Sequence, residues 1–202
     1  MLRARHESKV SGAPGLPIRY QWADWEEISP QVAIAVVAAE DQKFPMHRGF
    51  DVASIKEAMR ENPHRLTPRG ASTISQQVAK NLFLWPGRNL VRKGLEAYFT
   101  VLIELLWPKQ RILEIYLNIA QFGPGVFGVR SASEVYFHKS PSELDPPEAA
   151  LLAAVLPNPK RFRLESPSEY MIERAKAIQQ EVRRLGGPQY LPGGQGSDVR
   201  PR

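Results

Sequence analysis

Two adjacent carboxylates, Glu40 and Asp41, close an apolar run from Gln31 to Ala39 that reads as a helix buried on all sides. A carboxylate there is costly to ionise. Desolvation disfavours the charge, and the C-terminal end of a helix adds negative potential. Both effects raise proton affinity toward the range a general base needs near neutral pH. The competing reading is a helix that surfaces at Glu40 and leaves both groups solvated. Phe44, His47, Gly49 and Asp51 follow in a short polar and aromatic loop.

Small hydroxyls and amides come next, in Gly70-Ala71-Ser72-Thr73-Ile74-Ser75-Gln76-Gln77. At a helix N-terminus the free N–H groups and the dipole are receptive to phosphate. Capping accounts for Thr73 and Gln76, but not for a second glutamine followed by Lys80-Asn81. Lys80 lies one turn beyond Gln76, on the same side of the helix. Arg88, Arg92 and Lys93 then gather where the next helix starts, against its macrodipole. Glu96 follows them in the weaker order for a helical ion pair. A solvated ion-pair face is one outcome. An anionic ligand as the missing partner is the other, and Lys80 with these three cations would suit a pyrophosphate. Glu114 is embedded in apolar residues, so it should be paired or lie near a cleft.

The elements that must position these groups are helices. Ser29 and Pro30 read as an N-cap and first helical position. Further helices are expected from Ser72 or Thr73, from about Asn89 to Trp107, from Gln110 to Ile119, from Arg130 to Phe137, from Asp145-Pro146 to Leu156, and from Ser168 to Leu185. Pro108, Pro157 and Gly186-Gly187 supply stops. Alternating strand patterns are scarce, so the fold class is mainly α. The 202 residues suffice for one domain. The expected division is a mobile lead over 1–19, a domain over 20–185 and a flexible tail over 186–202.

The net charge of +6 favours anionic partners: nucleic acid, a membrane surface or phosphorylated ligands. With no cysteine, disulfides and thiolate metal sites are excluded. No segment has the roughly 20 mainly apolar residues of a membrane span, and Met1 to Val10 lacks the apolar stretch of a signal peptide.

Taken together, the motifs resemble the peptidoglycan glycosyltransferases. Glu40-Asp41-x-x-Phe44-x-x-His47-x-Gly49-x-Asp51 resembles that family's first motif. Gly70-x-Ser72-Thr73-Ile74-x-Gln76-Gln77-x-x-Lys80-Asn81 is similar to the second, and Arg92-Lys93-x-x-Glu96 to the third. Lys109-x-x-Ile112-Leu113-Glu114-x-Tyr116-Leu117-Asn118, with Gly123-x-Gly125-x-x-Gly128, resembles the fourth. Glu148-Ala149-Ala150-Leu151-Leu152-Ala153 with Pro157 resembles the fifth. Tyr20-Gln21-Trp22 and Ile28-Ser29-Pro30 look like the monofunctional branch.

The resemblance implies a lysozyme-like, two-lobed glycosyltransferase domain that polymerises lipid II into β-1,4-linked glycan and releases polyprenyl pyrophosphate. By analogy, Glu40 is the general base of an inverting single displacement and Glu96 a second acid. Lys80 and Arg88 would hold the pyrophosphate, while Ser72, Gln76, Gln77, Arg92, Lys93, Asp41 and Asn118 line the cleft. No cofactor is required by the sequence. A divalent ion near Glu96, Mg2+ or Mn2+, is the one metal the analogy leaves room for. Expected partners are lipid II, the growing strand, a membrane surface and other cell-wall synthesis proteins, with no nucleic acid. The family works at the periplasmic face of the cytoplasmic membrane. Membrane contact is expected between Val52 and Leu66, where Ile55, Met59 and Leu66 are apolar. Two rivals stand beside this reading: a muramidase or lytic transglycosylase that cuts strands, and a non-enzymatic basic module bound to anionic lipid or nucleic acid.

Overall fold

The computed structural model describes residues 17–52, 72–87 and 89–193. Seven α-helices carry the fold among them: α1 Pro30–Glu40, α2 Ile74–Phe83, α3 Leu90–Leu106, α4 Lys109–Ile119, α5 Val129–Phe137, α6 Pro146–Val155 and α7 Glu169–Leu185. The helix starts are chemically marked. The Ser29 hydroxyl accepts from the Gln31 amide, and Thr73, Asn89, Asp145 and Ser168 cap α2, α3, α6 and α7 in the same way. Gly186 ends α7 in the left-handed conformation at φ +94°.

Strand is confined to a small sheet. Its members are β1 (Arg19–Tyr20), β2 (Gln121–Gly123) and β3 (Val126–Phe127), in the order β1-β3-β2. β1 runs parallel to β3 and β2 antiparallel to it. Gly128 follows at φ +80°, where a Cβ would stand 2.8 Å from the Asn118 carbonyl oxygen. That close approach of backbone to α4 requires glycine.

Two sets of helices divide the molecule. In one, α1 packs against α6 and α7; in the other, α2 packs against α3 and α4. α1 is buried from Val32 to Ala38 on every side. Each Val or Ile taken from water there contributes roughly 1.5–3 kcal/mol, which holds the rod centrally between its neighbours. α4 is likewise buried from Ile112 to Asn118. The mainly α architecture expected from the motifs is therefore present, and its two sets meet at the end of α1.

The expected tail boundary needs correction. Residues Gly187–Tyr190 form a 3-10 turn packed on α1, and Leu191 is buried in the core. Tyr190 donates to the Gln42 carbonyl at 2.7 Å. A Gly- and Pro-rich stretch looks frayed by composition, yet two apolar side chains suffice to seat it. The lead also ends earlier than expected, since Arg19 already pairs with Val126.

Candidate active site

α1 delivers Glu40 to the seam between the two helix sets. The carboxylate is half-buried, and one oxygen is held: Gln77 Nε2 on α2 donates to Glu40 Oε2 at 2.9 Å. Gln77 is held in turn by Tyr116 on α4, whose hydroxyl donates to its Oε1 at 3.3 Å. A relay of Tyr116, Gln77 and Glu40 thus joins three helices. Burial pushes the Glu40 carboxyl above its ordinary range, and the adjacent Asp41 adds to this. The Gln77 hydrogen bond and the charges of Arg174 and Lys80 pull the other way, but desolvation wins. Tyr116 is pushed far up by burial and by the two carboxylates, so its hydroxyl stays a donor.

Asp41 has a different task. His47 Nε2 donates to its two oxygens at 2.9 and 3.0 Å, and the Ile74 amide donates to Oδ2 at 2.9 Å. The Gly49 amide donates to His47 Nδ1 at 3.1 Å, which places the ring proton on Nε2. Thr73 donates to the Gly49 carbonyl at 2.6 Å. The loop after α1 is therefore stitched to the start of α2, and the stitching sets where Gln77 and Lys80 stand relative to Glu40. A site with one desolvated base, an amide that orients it and a lysine acting on it through charge can take a proton from a hydroxyl beside an anionic group.

The transglycosylase family model matches residues 11–183. The chain belongs to the transglycosylase family. A protein of Xanthomonas campestris pv. campestris named biosynthetic peptidoglycan transglycosylase is 54% identical over 185 residues, 92% of this chain and 75% of the relative. Relatives of the same name from Xanthomonas axonopodis pv. citri and Chromohalobacter salexigens are 56% identical over 192 residues and 52% over 191. Each alignment covers 95% of this chain, with 78% and 81% of the relatives. The chain is a glycosyltransferase.

In this transglycosylase the other expected site residues divide by placement. Ser72 is exposed, just before the α2 N-cap. Gln76 is spent locally: its Oε1 accepts from the Thr73 amide at 3.0 Å in a capping box. Asn118 is fully buried, and its amide bonds Ala23 N at 2.8 Å, Ala23 O at 2.9 Å and Glu114 O at 2.9 Å. It ties the N-terminal segment to α4 and has no face on the seam. Glu114 is paired, as its apolar setting required: Arg111 Nη1 donates to it at 2.7 Å. Arg88 lies outside the described residues.

The third cluster also finds a partner. Lys93 hydrogen-bonds the buried Glu96, and Arg92 Nη2 stands 3.9 Å from its other oxygen. The acid that looked badly placed for helical pairing supplies part of the charge an external anion was expected to bring. Arg92 keeps a buried Nε with no acceptor. Flanked by two cations, the Glu96 carboxylate is a poor metal ligand. Among the described residues no group of three or more His, Asp or Glu could hold an ion.

Two participants had no assigned role in the sequence reading. Lys109, from the fourth motif, donates to Glu104 at 2.8 Å and lies 4.5 Å from the Phe44 ring centroid, under the Glu40–Asp41 loop. Ser75 bonds the same Glu104, so one buried acid joins α2, α3 and α4. Burial lowers the proton affinity of Lys109, and Glu104 opposes that. Arg174, on α7, acts on Glu40 through charge; no local signal sets it apart from other cations on an amphipathic helix.

Proposed function

We propose that this transglycosylase polymerises lipid-pyrophosphate-linked disaccharides into the β-1,4 glycan of peptidoglycan, by inverting single displacement. The 4-hydroxyl of the acceptor gives its proton to Glu40. The freed oxygen bonds to the anomeric carbon of the donor, and the bond from that carbon to polyprenyl pyrophosphate breaks. Lys80, with Arg88, neutralises the departing diphosphate. Gln77 aims the base, and Glu96 holds Arg92 and Lys93 beside the same cleft. The carrying observation is a single desolvated carboxylate, one oxygen fixed and Lys80 acting on it. A strand-cutting hydrolase needs two carboxyls flanking the bond. The neighbouring acid, Asp41, is committed to His47 and the Ile74 amide, which favours transfer.

Purified protein given lipid II is expected to release polyprenyl pyrophosphate and lengthen glycan, and to leave finished glycan uncut. A chelator is expected to leave the rate unchanged, since Glu96 is neutralised by side chains. Strand shortening would instead install the hydrolase reading.

Membrane contact belongs to the same proposal. Of the segment first expected, only Val52 falls within the described residues, and it is exposed. An apolar surface lies on α3, where Val91, Tyr98 and Leu105 recur every seven residues and Leu90, Val101 and Leu106 flank them, all exposed. Phe83, stacked on Phe99 at 4.6 Å, extends it to Leu82 and Trp85. Among the described residues no helix is long and apolar enough to cross a membrane. A lipid-linked substrate needs its enzyme at the bilayer, and we assign this face to it, at the periplasmic side of the cytoplasmic membrane. Leu105→Asp with Leu106→Asp should weaken sedimentation with anionic lipid vesicles at least about tenfold, given roughly 1.5–3 kcal/mol per buried leucine. Unaltered vesicle binding would place the contact elsewhere.

A further inference from the structure

Two successive left-handed glycines turn the chain back after α7. Gly186 sits at φ +94° and Gly187 at φ +75°, values that L side chains rarely adopt. The return lays Gly187–Tyr190 on α1 and α7 and seats Leu191 in the core. It then brings Gly193 to α4, where a Cβ would stand 2.9 Å from Gln110 Oε1. The segment therefore meets both helix sets beside the end of α1 that carries Glu40.

Its hydroxyl anchor falls two positions past the base. Tyr190 donates to the Gln42 carbonyl at 2.7 Å. The Gln42 side chain donates to the Ala38 carbonyl at 3.2 Å and to Glu181 at 3.3 Å, and accepts from Arg184 at 3.4 Å. Glu181 and Arg184 are themselves ion-paired on α7. Helix termination explains the glycines, and core packing explains Leu191. Neither explains four hydrogen bonds converging on Gln42. What they fix is the bend after Glu40, where Asp41 leaves helical geometry at φ −163° and ψ 76°. Past the end of a helix, such a bend is placed by its anchors. His47 and the Ile74 amide hold it through Asp41, and α7 with Tyr190 holds it through Gln42. A base must lie within hydrogen-bond reach of its proton, and a small misplacement costs rate.

We infer that Tyr190, acting through Gln42, is a positioning residue of the reaction: the C-terminal turn clamps the Glu40–Asp41 bend from the α7 side, fixing the base and keeping water from it, without touching substrate. This rests on Glu40 being the base.

The test is steady-state polymerisation of lipid II across pH by Tyr190→Phe, with thermal unfolding as the control for folding. Phe keeps the ring on α1 and removes only the hydroxyl. The groups acting on Glu40 are Gln77 and Lys80 from α2, Tyr116 from α4, Arg174 from α7 and Asp41 beside it, and all of them remain. Burial and Asp41 hold the Tyr190 phenol above its ordinary 10.0, so it is neutral at working pH and its loss removes no charge. A shift in the pH profile then reports placement and hydration of the base. Tyr190→Phe is expected to lower kcat about tenfold with KM unmoved, the upper range of one hydrogen bond. Water admitted to Glu40 should bring its proton affinity back toward 4.5, moving the acidic limb of kcat to lower pH. Gln42→Ala, which cuts the ties to Glu181 and Arg184, should move kcat and the limb in the same direction. Wild-type kcat in Tyr190→Phe overturns the inference. A lower unfolding temperature with an unmoved acidic limb overturns it too, since the turn is then only structural. So does a raised KM at constant kcat, which would put the turn in contact with substrate. Failure of the base reading shows separately, as turnover surviving in Glu40→Gln.

Discussion

Glu40→Gln will lower turnover about 10²–10⁴-fold and leave the protein at least as stable as before. Gln keeps the size of the side chain and still offers an oxygen to Gln77 Nε2, so the relay to Tyr116 survives. The ability to take a proton does not. The stability half follows from the sign of the shift. Burial raises the Glu40 proton affinity above its ordinary 4.5, so the fold disfavours the charged form. That cost is absent below the ordinary value and grows as pH rises through the raised one. At neutral pH a neutral isostere removes it, and the variant should unfold at the same temperature or higher, as is common where a functional group sits in a costly place. The wild-type rate follows the same group: its acidic limb should fall with a midpoint above 4.5, where a solvated glutamate would lose its charge. Polymerisation kinetics across pH and thermal denaturation of both proteins read these effects. A Gln variant that polymerises at the wild-type rate removes Glu40 from the chemistry.

Asp41→Ala has the opposite profile. Asp41 is buried, with two bonds from His47 and one from the Ile74 amide. Truncation leaves the imidazole N–H and a helix-start amide without acceptors, at a cost of about 3 kcal/mol. The midpoint of urea unfolding should fall accordingly, and activity with it, because α2 carries Gln77 and Lys80. Asp41→Asn should fall between, since its carbonyl can still serve one donor. The resemblance placed Asp41 among substrate-binding residues. An Ala variant as stable as wild type but with raised KM would restore that role; an unstable one makes Asp41 a brace between the two helix sets.

The contrast between neighbours shows what could be read before the structure. Ser29-Pro30, Thr73 with Gln76, Asn89, Asp145 and Ser168 announced helix starts, and each caps a helix within a residue or two of expectation. Capping is a local contest between a side chain and nearby amides, so it is written in a few consecutive residues. The all-round burial of α1 was legible too, because an apolar run with no polar face has no other use.

Less legible was the destination of each polar group. Gln76 and Gln77 are adjacent, yet one turns back to Thr73 and the other crosses to Glu40, a choice made by which helix lies opposite. Arg92 and Lys93 looked short of an anion until Glu96 was found buried between them and the core. The segment after Gly186 looked frayed because its composition hides the one fact that matters, that Tyr190 and Leu191 meet α1 and the core.

By itself, then, the amino-acid order determined a mainly α chain, its helix starts and stops, and a set of carboxylates, amides and cations in the order of one enzyme family. Only the tertiary structure decided which carboxylate is poised to take a proton and which is a brace. Proton affinity depends on how much water is excluded and which charges face the group, and both are set by helices far apart in the chain. Glu40 and Asp41 share a peptide bond and nearly the same local sequence. They differ because Gln77, Lys80 and Arg174 face one of them, and His47 with the Ile74 amide faces the other.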